Sequence, residues 1–264
     1  MLSDYSKATD PVITISALGD NYIYLYRYNQ SEAFVIDPGE SSSVFRALKK
    51  HKLNLTTILL THNHWDHTGG TAELKKKTSC RVIGPDKQRI KNVDCFAEDI
   101  QILEIGNVKI QVIAAPGHTH TSVCYYIPPS NEKENGILWT GDTLFIGGCG
   151  RLFECDASSM WNSLQKLASL PDDTLVYCGH DYTLENYKFA LSIEPGNQAV
   201  QKYLNELKQA QKAGKPTVPS TILREKETNP FLRADFSELR SALNMLNAPA
   251  AEVFAELRRR KDIF

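Results

Sequence analysis

The stretch Thr61–His67, THNHWDH, constrains this chain more than any other. It places three of the seven histidines and an aspartate within six positions, directly after the apolar run Ile58–Leu60. His62 and His64 are two apart. On a helix that spacing sends side chains in divergent directions, whereas in an extended segment both project to one side. The pair therefore belongs at the end of a strand, with Asp66 and His67 following as the chain turns into a helix. Desolvating several titratable groups together is costly unless something charged compensates. Imidazole and carboxylate suit zinc, iron or manganese better than calcium or magnesium.

More candidate ligands follow, each after an apolar run. VIAAPGH brings His118 after a Pro-Gly turn, ILWTGD brings Asp142, and TLVYCGH brings His180. A mononuclear site needs three or four protein ligands. The seven groups His62, His64, Asp66, His67, His118, Asp142 and His180 fit two metals that share one carboxylate.

The first two-thirds of the chain reads as alternating strands and helices. VITISAL, YIYLYRY, AFVID, TTILLT, VKIQVIAAP, SVCYYI and GILWTGD are β-branched or aromatic runs. Turn residues bound several of them, including Gly19-Asp20-Asn21 and Asp37-Pro38-Gly39. Helical patterns fall at about 41–51, 67–77 and 158–170. Beyond about Asp181 apolar residues recur at three- and four-residue spacing, and Gly214 with Pro216 ends the second of these helices. KPTVPSTILREKETNPF reads as an extended connector. The expected organisation is a layered α/β metal-binding domain over residues 1–180 and a helical companion domain over 181–264.

The 30 basic and 31 acidic residues nearly cancel. No global attraction to nucleic acid or anionic membrane is indicated, so anion binding has to come from a local cluster. The six cysteines form no CxxC pair, and a chain of this length needs no disulfide staples, so free thiols are expected. The N-terminal MLSDYSKATDPV lacks the apolar run of a signal peptide. A cytoplasmic, monomeric protein is expected.

His-x-His-x-Asp-His, the later Pro-Gly-His, Thr-Gly-Asp-Thr and Gly-His resemble the metal motifs of the metallo-β-lactamase superfamily. Along nearly its whole length the chain resembles a narrower family, the glyoxalase II enzymes or hydroxyacylglutathione hydrolases. The resemblance runs from ALGDNYIYL through THNHWDHTGG and TGDTLFIGGCGRLFE to CGHDYT, EPGN, NPFLR and RRRKD. It implies an αββα sandwich with a smaller C-terminal helical domain. His62, His64 and His118 would hold one metal, Asp66, His67 and His180 the second, and Asp142 would bridge both. It further implies cleavage of S-(2-hydroxyacyl)glutathione thioesters, S-D-lactoylglutathione to D-lactate and glutathione, by a hydroxide bridging two divalent metals. That is the second step of methylglyoxal detoxification. Zinc is the expected metal, with iron or manganese as the other candidates. A pair of cations can bring the pKa of water down toward about 7, and a thiolate of parent pKa about 8.5 leaves with little protonation.

Four basic residues, Arg258 to Lys261, end the last predicted helix. Alone they are explained by attraction to the helix C-terminus, about 0.3–1 kcal/mol at an exposed site. The resemblance implies that Arg258 and Lys261, with Arg151, Phe153 and Tyr182, contact the glutathione moiety, whose two carboxylates suit Arg and Lys. The sequence departs from the family pattern at Asn63, at Thr121-Ser122, and at Arg151 and Phe153, which replace lysine and tyrosine. His120 and His51 are expected away from the metals. The alternative reading is a mononuclear iron persulfide dioxygenase with similar metal motifs, needing only two histidines and one carboxylate.

Overall fold

The computed structural model describes residues 11–131, 133–212 and 216–264, with no side-chain description for 210–212. The expected helix stop at Gly214 lies outside these residues.

Two six-stranded sheets carry the fold. The first contains β1 (Val12–Ala17), β2 (Asn21–Arg27), β3 (Glu32–Ile36), β4 (Asn54–Leu59), β5 (Arg81–Gly84) and β6 (Cys95–Phe96), in that spatial order. α1 (Ser41–His51) links β3 to β4. α2 (Trp65–Thr68) and α3 (Thr71–Thr78) link β4 to β5. These crossovers let β3, β4 and β5 run parallel, as βαβ units require, and β6 adds a further parallel strand after a loop.

Alternation along the strands separates the layers. Phe34 and Ile36 join one buried cluster, and Ala33 and Val35 join the other together with Val44, Leu48 and Leu74 of α1 and α3. One sheet face therefore meets the helices while the other meets the second sheet.

The second sheet contains β7 (Ile102–Ile105), β8 (Val108–Ala114), β9 (Val123–Ile127) and β10 (Ile137–Gly141), in an antiparallel run. A short hairpin of β11 (Leu144–Phe145) and β12 (Gly148–Cys149), then α4 (Ala157–Ala168), precede β13 (Leu175–Cys178), which lies parallel to β10. Between the sheets, Trp139 meets Tyr26 and Phe34 edge-on at centroid distances of 5.7 and 5.8 Å, and Tyr24 meets Tyr177 at 5.2 Å. Aromatic pairs of this geometry add about 0.5–1.5 kcal/mol each beyond their burial.

The C-terminal segment contains α5 (Thr183–Ile193), α6 (Gln198–Lys212), β14 (Ser220–Thr221), α7 (Ile222–Thr228), a 3-10 turn at Pro230–Leu232, α8 (Ser237–Ala242) and α9 (Ala250–Asp262). The region expected as an extended connector is thus mostly ordered. β14 pairs antiparallel with β13 as an edge strand of the second sheet. Thr221 then caps α7 by accepting a hydrogen bond from the Arg224 amide at 3.2 Å. α9 packs on α4, with Phe254 and Trp161 ring centroids 6.4 Å apart.

The single helix expected over 67–77 is two, divided at Gly69-Gly70. The Asp37-Pro38-Gly39 turn crosses at that point, and Gly70 donates to the Pro38 carbonyl at 2.8 Å. A Cβ on Gly39 would overlap the Asp66 carbonyl oxygen, so no larger residue fits this crossing. Among the described residues, no helix is long and apolar enough to cross a membrane. All six cysteines are free thiols.

Candidate metal centre

The ligand-bearing segments converge because β4, β8, β10 and β13 end on one side of the sandwich. Asp142 follows β10 directly, His180 lies two residues past β13, His62 three past β4, and His118 four past β8. Ligand atoms of His62, His64 and His118 all lie within 4.8 Å of one another, as do those of Asp66, His67 and His180. Asp142 stands between the groups. Its Oδ1 is 3.3 Å from His67 Nε2, and its Oδ2 is 3.4 Å from both His118 Nε2 and His180 Nε2. All seven predicted metal ligands are therefore in one place.

In His62, His67, His118 and His180 the outward-facing ring nitrogen has a partner that fixes its proton. His118 Nδ1 is 2.9 Å from the Arg151 carbonyl, which can only accept. His67 Nδ1 is 3.0 Å from Asp37 Oδ2, and His180 Nδ1 is 3.0 Å from Asp20 Oδ1. His62 Nδ1 is 3.0 Å from Thr61 Oγ1, whose own proton goes to Asp37 Oδ2 at 2.6 Å. These contacts put the neutral rings' protons on Nδ1 and turn the Nε2 lone pairs inward.

The inward nitrogens then face one another. His64 Nδ1 lies 3.2 Å from His62 Nε2 and 3.0 Å from His118 Nε2, while His67 and His180 bring their Nε2 atoms to 3.2 Å. Lone pairs converging this closely repel unless an electron-pair acceptor sits among them. Asp142 Oδ1 is buried with no hydrogen-bond donor among the described residues. The arrangement fits metal binding: oriented imidazoles whose far nitrogens are hydrogen-bonded, plus carboxylates, around common points.

The electrostatics point the same way. Burial alone would raise the Asp142 carboxyl, but the adjoining His67 and His180 hold it well below the usual carboxylate range. Asp66 is likewise held low against its burial by His180 and His67. Burial lowers His62 and His118. His180 is pushed up to about 10, Asp142 and Asp66 outweighing its desolvation. This is a field that attracts positive charge, and a bound cation would displace protons to satisfy it.

Three orienting residues, Asp20, Asn21 and Asp37, fall in segments that read as turns. Asn21 Nδ2 donates to Asp66 Oδ2 at 3.0 Å. Asp37 adopts φ +48° and also accepts from the Thr61 amide at 2.7 Å. The only sequence signal was an acid closing the strand AFVID.

The five predicted substrate contacts share one cavity of about 540 Å³ beside the metal ligands, lined by Arg151, Phe153, Tyr182, Arg258 and Lys261 together with His118 and Asp142. Tyr182 stacks on His180 at 5.0 Å with an interplanar angle of 5°. Phe153 is exposed, its ring 5.1 Å from that of His118. Lys261 is half-buried, 5.5 Å from the Phe189 centroid and 5.2 Å from that of Phe264. Burial and Arg258 lower its pKa. Arg258 is buried and already occupied: it donates to the Cys149 carbonyl at 3.0 Å and pairs with Asp262 at 2.8 Å. Cys149 is packed, its thiol pushed up to about 11 by burial. His51 ends α1 in solvent. His120 is exposed, with Nδ1 3.2 Å from Cys155 Sγ.

This sandwich with its clustered donors is a divalent metal centre of the metallo-β-lactamase type: residues 17–180 match the Metallo-beta-lactamase superfamily, and residues 181–264 match the Hydroxyacylglutathione hydrolase C-terminus. The hydroxyacylglutathione hydrolase of Chromohalobacter salexigens is 46% identical over 256 residues, covering 96% of this chain and 99% of that protein. That of Methylococcus capsulatus is 41% identical over 256 residues, covering 96% and 98%. The chain belongs to the hydroxyacylglutathione hydrolase family. Among solved structures, ETHE1 from Myxococcus xanthus matches with a TM-score of 0.64 at 25% identity, covering 96% of this chain and 98% of that one. TTHA1623 in a di-iron-bound form matches at 0.58 and 25% identity, covering 84% and 99%.

Proposed function

We propose that this chain hydrolyses S-(2-hydroxyacyl)glutathione thioesters, S-D-lactoylglutathione foremost, at a pair of divalent metal ions, zinc being the first candidate. The carrying observation is Asp142, whose two oxygens reach toward both histidine groups. His62, His64 and His118 would hold one ion, Asp66, His67 and His180 the other, with Asp142 between. When bound there, the ions supply a water acidic enough to attack at neutral pH and positive charge against the carbonyl oxygen.

The protein's own part is positioning. Tyr182 and Phe153 flank the ligand histidines on the cavity side and keep bulk water from the acyl carbon. Lys261 and Arg151 supply cations for the carboxylates of the glutathione moiety, which fits residues 181–264 as the main substrate-binding portion. Arg258 steadies that wall from behind, through the Cys149 carbonyl and Asp262. A thiolate leaves with little protonation, so no acid residue is required near the sulfur.

Elemental analysis and a lactoylglutathione assay on one preparation test the reading. Two equivalents of metal with turnover are expected. Metal-replete protein that binds the thioester without cleaving it, or that consumes oxygen with glutathione persulfide instead, would overturn it. Lys261→Ala is expected to raise KM for lactoylglutathione about tenfold, the worth of one charge-assisted hydrogen bond. Its hydrolysis of a small thioester lacking the peptide should barely change. Equal losses on both substrates would remove Lys261 from substrate binding.

A further inference from the structure

A buried carboxylate 78 residues along the chain from the pocket loop has no part in metal or substrate binding, yet controls the backbone between them. Glu225, on α7, is fully buried. Its Oε2 accepts from the Gly147 amide at 2.8 Å and from Asn229 Nδ2 at 3.0 Å, and its Oε1 accepts from Ser220 Oγ at 2.6 Å. Asn229 Nδ2 also reaches the Phe145 and Gly148 carbonyls at 3.2 and 2.9 Å. Asn186 donates to the Ile146 carbonyl at 3.1 Å, and Arg258 to that of Cys149 at 3.0 Å. Each residue of the loop 145–149 thus has a backbone group held by a side chain from beyond residue 181.

The loop leads straight to the metal ligands. Gly147 adopts φ +70°, the left-handed conformation that glycine accommodates. Gly150 presses so closely on Asp142 that a Cβ there would overlap its carbonyl oxygen. The next carbonyl, of Arg151, receives the His118 Nδ1 proton at 2.9 Å. Burial holds the Glu225 carboxyl above its usual range, although its three donors act the other way. A buried acid is costly to keep unless its acceptors are used.

We propose that Glu225 is a positioning residue: by anchoring Gly147 it fixes the loop that sets the Arg151 carbonyl against His118 and places the pocket wall. The inference rests on the metal reading of the site, not on the identity of the acyl group.

The test compares Glu225→Leu, Glu225→Gln and Leu239→Ala, a buried control on α8, in zinc-loaded full-length protein. Zinc retention is read by competition with a chromogenic chelator, alongside KM and kcat for lactoylglutathione and Tm. Glu225→Leu keeps volume but loses the acceptors; zinc affinity should fall and KM should rise, each by about tenfold, the lower end for losing an orienting contact behind a ligand. Glu225→Gln should restore both, because its carbonyl can face Gly147 and Asn229 while its NH2 faces the Ser220 hydroxyl. Leu239→Ala should lower Tm without moving either quantity. The proposal is overturned if Glu225→Leu keeps wild-type zinc affinity, or if Leu239→Ala weakens zinc as much at a similar loss of Tm. Should no variant, nor the wild type, cleave the thioester, the functional reading fails, while the zinc titration still decides the role of Glu225.

Discussion

Replacing Asp142 by alanine is expected to lower kcat/KM for lactoylglutathione by at least about 10³-fold, or roughly 4 kcal/mol of transition-state stabilisation. Among the described residues, Asp142 is the one carboxylate within 3.4 Å of imidazoles from both groups. Its removal takes a negative charge from between two intended cations and leaves Asp66 as the remaining counter-charge shared by His67 and His180. Elemental analysis should show retention dropping from two equivalents toward one or none. Near-normal turnover in the alanine variant would mean that the chemistry does not run through this position, and the proposed centre would be abandoned.

Asp37→Asn is expected to cost about 10–100-fold in metal affinity and in kcat/KM, the range found when the group behind a ligating histidine is lost. Asp37 touches no proposed metal position. Its two oxygens serve three donors: the Thr61 amide at 2.7 Å, the Thr61 hydroxyl at 2.6 Å and His67 Nδ1 at 3.0 Å. An asparagine keeps one acceptor oxygen and turns an NH2 toward a neighbouring donor, so either Thr61 or His67 loses its partner. The loss should appear in chelator competition as well as in rate, unlike that of Lys261→Ala, which should leave metal binding alone. An asparagine variant with wild-type metal affinity would show that His67 holds its orientation without help.

The cluster of candidate metal ligands could be read from the sequence because local pattern and chemistry coincide there. An apolar strand followed by His-x-His-x-Asp-His has few stable uses, and a strand end followed by one acid or one imidazole repeats the message at Asp142, His118 and His180. Asp20, Asn21 and Asp37 were hidden because Gly-Asp-Asn and Asp-Pro-Gly are also ordinary turn sequences. Only the tertiary arrangement turns those side chains toward the histidine cluster, Asp37 onto His67 and Asp20 onto His180, 160 positions further along the chain.

α7 was missed for a different reason. Its buried residues are Ile222, Glu225 and Thr228, a three-residue repeat whose middle member is charged, so no apolar stripe marks the helix. The prolines on either side, Pro219 and Pro230, suggested extended chain instead. The buried acid that concealed the helix is the group that secures the pocket loop.

The hydrogen bonds to the outer nitrogens of His62, His67, His118 and His180 have a consequence for metal choice. These rings are preorganised by Thr61, Asp37, Arg151 and Asp20, so the conformational entropy of aiming them is lost during folding rather than on ion uptake. A cradle already shaped for nitrogen and oxygen coordination discriminates weakly among borderline cations of similar radius. Occupancy should therefore track cellular supply, and preparations from differently supplemented cultures should differ in their metal while sharing one backbone conformation.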